Sequence, residues 1–526
     1  VGQEDEKLKN LEILVDPVIS PHEVLRDPIH GDIWITLLER KVIDTAIFQK
    51  LRGKMQLGPT HLVYPGATHT RFEHSIGTLY VADRLAETCN KNCENYPELG
   101  LVKITKYHRL LIRLVALLHD VAHIPFGHTL EREGNLFNKH EWKDNMRAEK
   151  ILGVDTPIYK AIIETLRLFG LSDEQAKKVV ADARKILEHN GDPMDLEHPF
   201  ISDIVGNTLC ADLLDYCVRD MHNCGLVERS GDRFLNYLGV LPLVKKQNDS
   251  QEEFEVKQVP EGKGRLVLLA YRYERDRHDP RDVRPVTKID VLSEAIDLLR
   301  KRYSLAEKVY FHRTKIAASA MLISAIYCSG FDSATLFDLT DDQLLTKLSE
   351  SDNERAKQIV ESYTRRNLFK PIYKLEYREK EERNRDTVKL WEQIYAVYRN
   401  PKARRDAEIK IEEEMGLPPG SIAIYCPEAG MNTKEFEALV QPASASSVKL
   451  LRNFLDPLRK QEMEVIDKYF HRLWVFVVLV DPERRDPSEV GNPEVRLLSG
   501  FCEDYFDLPN DIEALKGTKH EFVSRV

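Results

Sequence analysis

Cysteine is scarce for a chain of this length: eight among 526 residues, with no Cys-x-x-Cys pair. That excludes a dense disulfide framework and a zinc ribbon. Long apolar runs are missing too. No stretch approaches the ~18 residues of a membrane helix, so no membrane partner is expected. The opening segment, VGQEDEKLKN, carries no apolar leader core. A cytoplasmic chain with reduced thiols is the expectation. Positive charge is in deficit: 76 Lys and Arg against 86 Asp and Glu give a net charge of −10. An acidic chain binds nucleic acid poorly without a local basic groove, so nucleic acid is not the expected partner.

What is present reads as an ordinary folded protein, 42% hydrophobic and 31% charged. The length exceeds what one core usually serves. The patterning predicts a mainly α fold: an N-terminal tail over 1–20, a helical core over 21–330 expected to be catalytic, and a smaller α+β C-terminal lobe over 331–526. Leu110, Leu111, Leu114, Val115, Leu117 and Leu118 form one apolar helix stripe. Residues 157–188 predict two amphipathic helices broken near Gly170, with Ser172 capping the second. Residues 294–326 predict a long helical stretch. FEVKQV, PEGKG and RLVLLAYRY (254–273) read as a strand–turn–strand hairpin. SIAIYC (421–426) and LWVFVVLVDP (473–482) read as further strands. The charged run 274–285 reads as a loop and 376–386 as a solvated helix face. Cys210, Cys217 and Cys224 recur every seven residues, the mark of one buried helix face.

The apolar stripe ends at His119-Asp120, inside LLHDVAHIPFGH (117–128). Two metal-ligand side chains at a helix end can converge on one ion. A lone His-Asp pair is common and carries little. Here His123 and His128 follow within ten residues, around a Pro-Phe-Gly turn. His74 in RFEHS and Asp212 in ADLLDYCVRD complete a His-His-Asp-Asp set. Mixed imidazole and carboxylate ligands suit a labile divalent ion, with Mn, Mg, Fe or Zn as candidates. Such an ion polarises phosphoryl oxygen and lowers the pKa of its water from about 15.7 towards 7. Asp212, Asp215, Tyr216, Arg219 and Asp220 fall at helical spacings, so one face mixes carboxylates with an aromatic ring.

These segments resemble the HD-domain deoxynucleoside triphosphate triphosphohydrolases. The resemblance runs through RDPIHGDIWI (26–35), IDTAIFQKLRGKMQLG (43–58), YPGATHTRFEHSIG (64–77), LLHDVAHIPFGH, ADLLDYCVRDMHNCG (211–225) and RRNLFK (365–370). It implies an HD-domain helical core, with no SAM domain expected in this chain. His74, His119, Asp120 and Asp212 match the family's metal ligands. His123 and His128 match histidines that face the substrate phosphates. His140 and Glu141 match the catalytic histidine and its carboxylate partner. Arg71 and Arg302 match phosphate contacts. Gln56 and Leu57 match residues against the deoxyribose, and Tyr216 and Asp220 match the ring-stacking tyrosine and the 3′-hydroxyl acceptor. Asp215 is carried as a further substrate-binding candidate. The implied reaction is hydrolysis of a dNTP to deoxynucleoside and inorganic triphosphate, serving deoxynucleotide-pool control with antiviral or antiphage defence as one use. A leucine packed on C2′ leaves an added hydroxyl unpaired, a cost of roughly 1–3 kcal/mol.

Asp44, Gln49 and Arg52 match residues that read an activator's guanine, and Arg366 and Lys370 match a neighbouring nucleotide site. The resemblance therefore implies GTP or dNTP activators, a homo-oligomer, tetramer or dimer, and a regulatory or oligomerisation role for the 331–526 lobe. Two positions depart from the family. Leu213 stands where a phosphate-contacting lysine follows the last metal aspartate, and Glu23 stands where another phosphate-binding lysine is found. Lys308, His312 and Arg313 are candidates to compensate. Leu213 leaves open a phosphohydrolase acting on another nucleotide. A non-catalytic nucleic-acid-binding HD protein is the third reading, opposed by the net charge and the full metal set.

Overall fold

The computed structural model describes residues 14–137, 141–226, 233–246, 253–258, 262–275, 283–377, 385–427, 437–442 and 447–516. Of the expected N-terminal tail, residues 14–18 are helical and 1–13 lie outside the described residues. Two antiparallel strands, β1 (Glu23–Asp27) and β2 (Gly31–Ile35), precede α1 (Leu37–Ile43). Thr36 and Glu39 cap α1 reciprocally, satisfying N–H groups that a helix start leaves bare.

The central element is α2 (Arg71–Asn95), packed between α3 (Lys106–Leu118) and α6 (Ala211–Asn223). The Thr70 N–H donates to Glu73 Oε2 at 2.6 Å and fixes where α2 begins. The predicted leucine stripe of α3 is buried throughout. Gly77 lets α2 meet α6 closely: a Cβ there would stand 1.9 Å from Asp215 Oδ1. The predicted pair α4 (Pro157–Leu168) and α5 (Asp173–Glu188) is present, with a left-handed Gly170 between them and the Ser172 side chain accepting the Gln175 N–H. Cys210, Cys217 and Cys224 are buried along α6 and its ends, and no cysteine forms a disulfide. No helix of the described residues is long and apolar enough to cross a membrane.

The expected hairpin over 254–273 is corrected. β4 (Glu253–Val256) and β5 (Lys263–Leu269) do not pair with each other. β3 (Leu238–Lys245) lies between them and pairs antiparallel with both. The first six residues of β3 are all buried, so the strand needs a partner on each side. The run 294–326 is also divided: α7 (Ile289–Leu305) passes through a π turn, Ala306–Tyr310, before His312 caps α8 (Arg313–Ser329). The loop expected over 274–285 starts and ends in paired strand, Tyr271–Arg275 with Val283–Thr287. Its residues 276–282, like 378–384 of the other charged run, lie outside the described residues.

Helices α9 (Asp341–Ser349) and α10 (Glu354–Thr364) pack on each other, and α10 packs on α8. Beyond them, β6 (Lys370–Glu376), β7 (Ile422–Tyr425) and β10 (Val475–Val480) form an antiparallel sheet with β10 central. This sheet carries a second apolar core that includes Ile372, Phe476, Leu498 and Phe506. β8 (Leu439–Gln441) and β9 (Ser447–Leu450) close the β3–β5 barrel, β8 running parallel to β5. The molecule is mainly helical, with small sheets.

Candidate metal centre and active site

His74 lies in the first turn of α2, fully buried. Its Nδ1 donates to Asp215 Oδ2 at 2.7 Å, which leaves Nε2 as the outward donor atom. His119 is oriented the same way, with Nδ1 donating to the Ala116 carbonyl at 2.7 Å. The two Nε2 atoms stand 3.2 Å apart. Ligand atoms of His74, His119 and Asp120 all lie within 4.8 Å of one another. Asp212, from α6, brings Oδ1 to 3.0 Å from His74 Nε2 and 3.9 Å from His119 Nε2. Its side chain is 36% exposed and forms the open side of the cluster. Anchored rear nitrogens, converging front nitrogens and two carboxylates fit a divalent ion. Burial opposes charge on His74, but hydrogen bonds to Asp212 and Asp215 outweigh it and raise the ring to about 10. A bound cation would take the place of that proton. Burial also pushes Asp120 up, yet Arg71, His119 and His123 hold its carboxyl well below the usual range.

A cationic and imidazole wall flanks the cluster. Arg71, buried, donates to Asp120 Oδ2 at 2.6 Å. A Cβ at Gly127 would meet its guanidinium at 2.3 Å, so the Phe126–Gly127 turn admits no side chain there. His123 Nε2 is 3.2 Å from Asp120 Oδ1, and the His123 and His128 rings meet edge-on at 4.8 Å. Burial first, then the Arg132, His123 and Arg71 charges, keep His128 well below its ordinary pKa. His140 lies outside the described residues. Glu141 opens one turn of 3-10 helix, Glu141–Lys143.

Residues 71–217 match the HD domain family, and residues 281–464 match the HD associated region. The chain carries an HD domain. It is 30% identical to an uncharacterised protein of Methanocaldococcus jannaschii over 363 residues, 68% of this chain and 60% of that protein. It is 30% identical to the deoxynucleoside triphosphate triphosphohydrolase SAMHD1 of Bos taurus over 279 residues, 49% of this chain and 44% of the relative. Against that of Gallus gallus it is 34% identical over 248 residues, 42% and 38% of the two chains. The match thus spans 60% or less of these relatives' own lengths.

Beside the HD domain's cluster, the strip holding Gln56 and Leu57 runs along the start of α2. Met55 bridges to Thr70, and the Gln56 N–H donates to the His69 carbonyl at 3.1 Å. Asp220 is buried and accepts from His69 Nε2 at 2.8 Å and the Tyr310 hydroxyl at 2.6 Å. Tyr216 is half-buried against the main core. Asp215 does not face an open pocket. It is buried, and His30, His74 and Arg219 occupy both oxygens, so it positions His74 from behind. Arg302 lies over the Phe470 ring, 5.8 Å from its centroid. Leu213 is buried. Lys308 offers its carbonyl to the Tyr64 hydroxyl at 2.7 Å, and Arg313 is exposed.

The activator-matching residues fall into two groups. Asp44 accepts from Arg40 at 2.7 Å, Gln49 accepts from Arg52 at 2.9 Å, and Arg52 stacks on Phe72 at 3.5 Å. Glu23 is paired with Arg40 as well, which offsets its charge. Arg366 and Lys370 line a cavity of about 430 Å³ with Thr314, Asn367, Leu368, Pro482 and Glu483. Arg366 donates to the Leu62 carbonyl at 3.0 Å, and Lys370 pairs with Asp486 at 3.0 Å.

Sequence reasoning missed the groups behind the ligands. Arg219 joins Asp215 to Asp27 at 2.9 Å. Glu131 accepts from His123 Nδ1 at 2.6 Å and from Arg147 at 2.5 Å. Trp142 Nε1 donates to the His119 carbonyl at 2.7 Å. His30 and Arg219 sit inside motifs that carry the resemblance, which was their available signal. Arg147 and Trp142 lie in stretches with none.

Proposed function

We propose that the HD domain hydrolyses deoxynucleoside triphosphates to deoxynucleoside and inorganic triphosphate. The observation that carries this reading is the convergence of His74, His119, Asp120 and Asp212 beside Arg71, His123 and His128. The similarity to proteins named as dNTP triphosphohydrolases supports the substrate class. His74, His119, Asp120 and Asp212 would hold a divalent ion, which would supply positive charge for the phosphoryl oxygens and lower the pKa of water. Arg71 offers a second fixed cation for the triphosphate. Cleavage forms a bond from water oxygen to the α-phosphorus and breaks that phosphorus's bond to the 5′ oxygen. The water gives up a proton and the departing 5′ oxygen takes one. Histidine suits both transfers near neutral pH. In this reading His123, backed by Glu131, and His140 with Glu141 serve proton transfer, while His128 faces the phosphates with Arg302 as a further contact. Gln56, Leu57, Tyr216 and Asp220 hold the sugar, and Leu57 excludes a 2′-hydroxyl.

Asp44, Gln49, Arg52, Arg366 and Lys370 are read as activator contacts in a homo-oligomer. One observation favours a second substrate reading: buried Leu213 offers no cation to a triphosphate. Chromatography of products from each dNTP and NTP, with Mn²⁺ or Mg²⁺, separates the two. Deoxynucleoside with inorganic triphosphate is the expected result. Monophosphate with pyrophosphate overturns the cleavage position, and turnover of ribonucleotides alone overturns the sugar assignment.

A further inference from the structure

The HD associated region reaches back to the active site through one buried carboxylate. Asp341 is the first residue of α9 and is 4% exposed. Its Oδ2 accepts the Met55 N–H at 2.9 Å, and its Oδ1 accepts the Phe126 N–H at 2.9 Å. These amides belong to segments far apart in the chain. Met55 leads directly into Gln56 and Leu57. Phe126 leads into Gly127 and His128, with φ of 55° at Phe126 and 32° at Gly127. A phenylalanine holds that left-handed conformation only where its surroundings impose it.

The neighbours of Asp341 tighten the same junction. Thr340 caps α9, and a Cβ on Gly53 would come within 2.5 Å of its side chain. Lys54, also buried, donates from Nζ to the His123 carbonyl at 2.6 Å and to the Phe337 carbonyl at 3.4 Å. The segment 53–57 is thus held against both α9 and the histidine-bearing turn.

We propose that Asp341 is a positioning residue: by holding the Met55 and Phe126 amides on one carboxylate, it fixes the Gln56–Leu57 strip and the Phe126–His128 turn at the spacing a bound nucleotide needs. The HD associated region thereby sets the geometry of the HD domain's pocket. This rests on the nucleotide-hydrolysis reading above. A carboxylate serves the role because each oxygen accepts from a different N–H. An amide turns its NH₂ towards one of them and loses that bond.

The test is Asp341→Asn in the full chain, with Asp342→Asn, an exposed carboxylate beside it, as the control. A displacement on the order of 1 Å at reacting groups costs about 100-fold in rate. For Asp341→Asn we expect kcat to fall about 10- to 100-fold, with Mn²⁺ affinity by calorimetry and thermal midpoint close to wild type. The control keeps full activity. Unchanged kcat in folded Asp341→Asn overturns the proposal. Amide hydrogen exchange at Met55 and Phe126 reads the pin without any turnover. Faster exchange at either amide in the variant sustains it, and unchanged exchange at both overturns it. A wild type inactive on every nucleotide would strike the proposed reaction instead, leaving this exchange result to judge the pin. Should the variant not fold, wild-type exchange decides: Met55 and Phe126 must open together with the α9 amides, and separate rates overturn the proposal.

Discussion

Asp215 accepts from His30, His74 and both ends of the Arg219 fork, and no part of it reaches solvent. Burial alone would raise its pKa, but Arg219, His30 and His74 hold it well below the usual carboxylate range. Its work is to fix the His74 tautomer with Nδ1–H to the rear and Nε2 to the front. Loss of such a supporting partner typically weakens metal binding about 10- to 100-fold. Asp215→Asn is therefore expected to weaken Mn²⁺ binding by that factor in calorimetry of the folded variant. Unchanged affinity would remove Asp215 from the metal site's support. From the sequence alone, Asp215 and Asp212 look alike, two acids on one helix face. Only the packing of α6 against α2 turns one towards the open cluster and the other behind it.

At the scale of elements, α2 and α3 are joined by a charged clasp. Asp83 on α2 accepts from Arg109 at 2.6 and 2.8 Å and also pairs with Arg113, which reaches on to Glu39 of α1. Burial raises the Asp83 pKa, but the Arg109 hydrogen bond and the Arg113 and Arg109 charges bring it below 3.8. A depressed carboxyl contributes stability that is full above the unfolded value of 3.8 and is lost as pH falls through the lower folded value. Asp83 and Arg109 keep 15% and 30% of their side chains exposed, so losing Asp83 costs less than the roughly 3–5 kcal/mol of a fully buried pair. Urea melts should therefore show Asp83→Asn less stable by about 1–2 kcal/mol at neutral pH, with the gap narrowing in acid. A gap that does not change with pH contradicts the clasp. The elements themselves were unevenly legible. α3 announced itself because one face is a leucine stripe, and α5 because Ser172 stands where a cap belongs. β3 did not, because Pro242 interrupts a run whose burial on both sides erases any alternation. Its pairing opposite Gly264 comes from the barrel, which is closed by strands almost 200 residues later.

For the whole molecule, segments far apart in sequence meet around the HD domain. Strands β8 and β9 complete a barrel begun by β3, and α9 pins the turn before His128. Arg366, which lines a cavity with Lys370, also holds the Leu62 carbonyl, six residues beyond Gln56. A nucleotide there would have to displace Asp486 from Lys370, since the two are paired at 3.0 Å. Sedimentation with and without GTP and dNTPs is expected to show a mass increase on nucleotide addition, with activation of hydrolysis alongside. An unchanged mass with a flat activation curve would remove the regulatory reading. Residues such as Gln49 and Arg52 look like ordinary surface polar groups in isolation. Their spacing becomes informative only through the family resemblance, so the proposed regulation is less legible than the metal cluster.

His74, His119, Asp120 and Asp212 are placed to hold one divalent ion. Calorimetric titration of metal-stripped protein with Mn²⁺, for wild type and Asp120→Ala, tests it most directly. Supporting residues alone are worth about 10- to 100-fold in affinity, so a direct ligand should be worth at least about 100-fold. We predict single-site binding by the wild type and a loss of at least about 100-fold in the variant. Equal Mn²⁺ affinity in the two proteins would contradict the account.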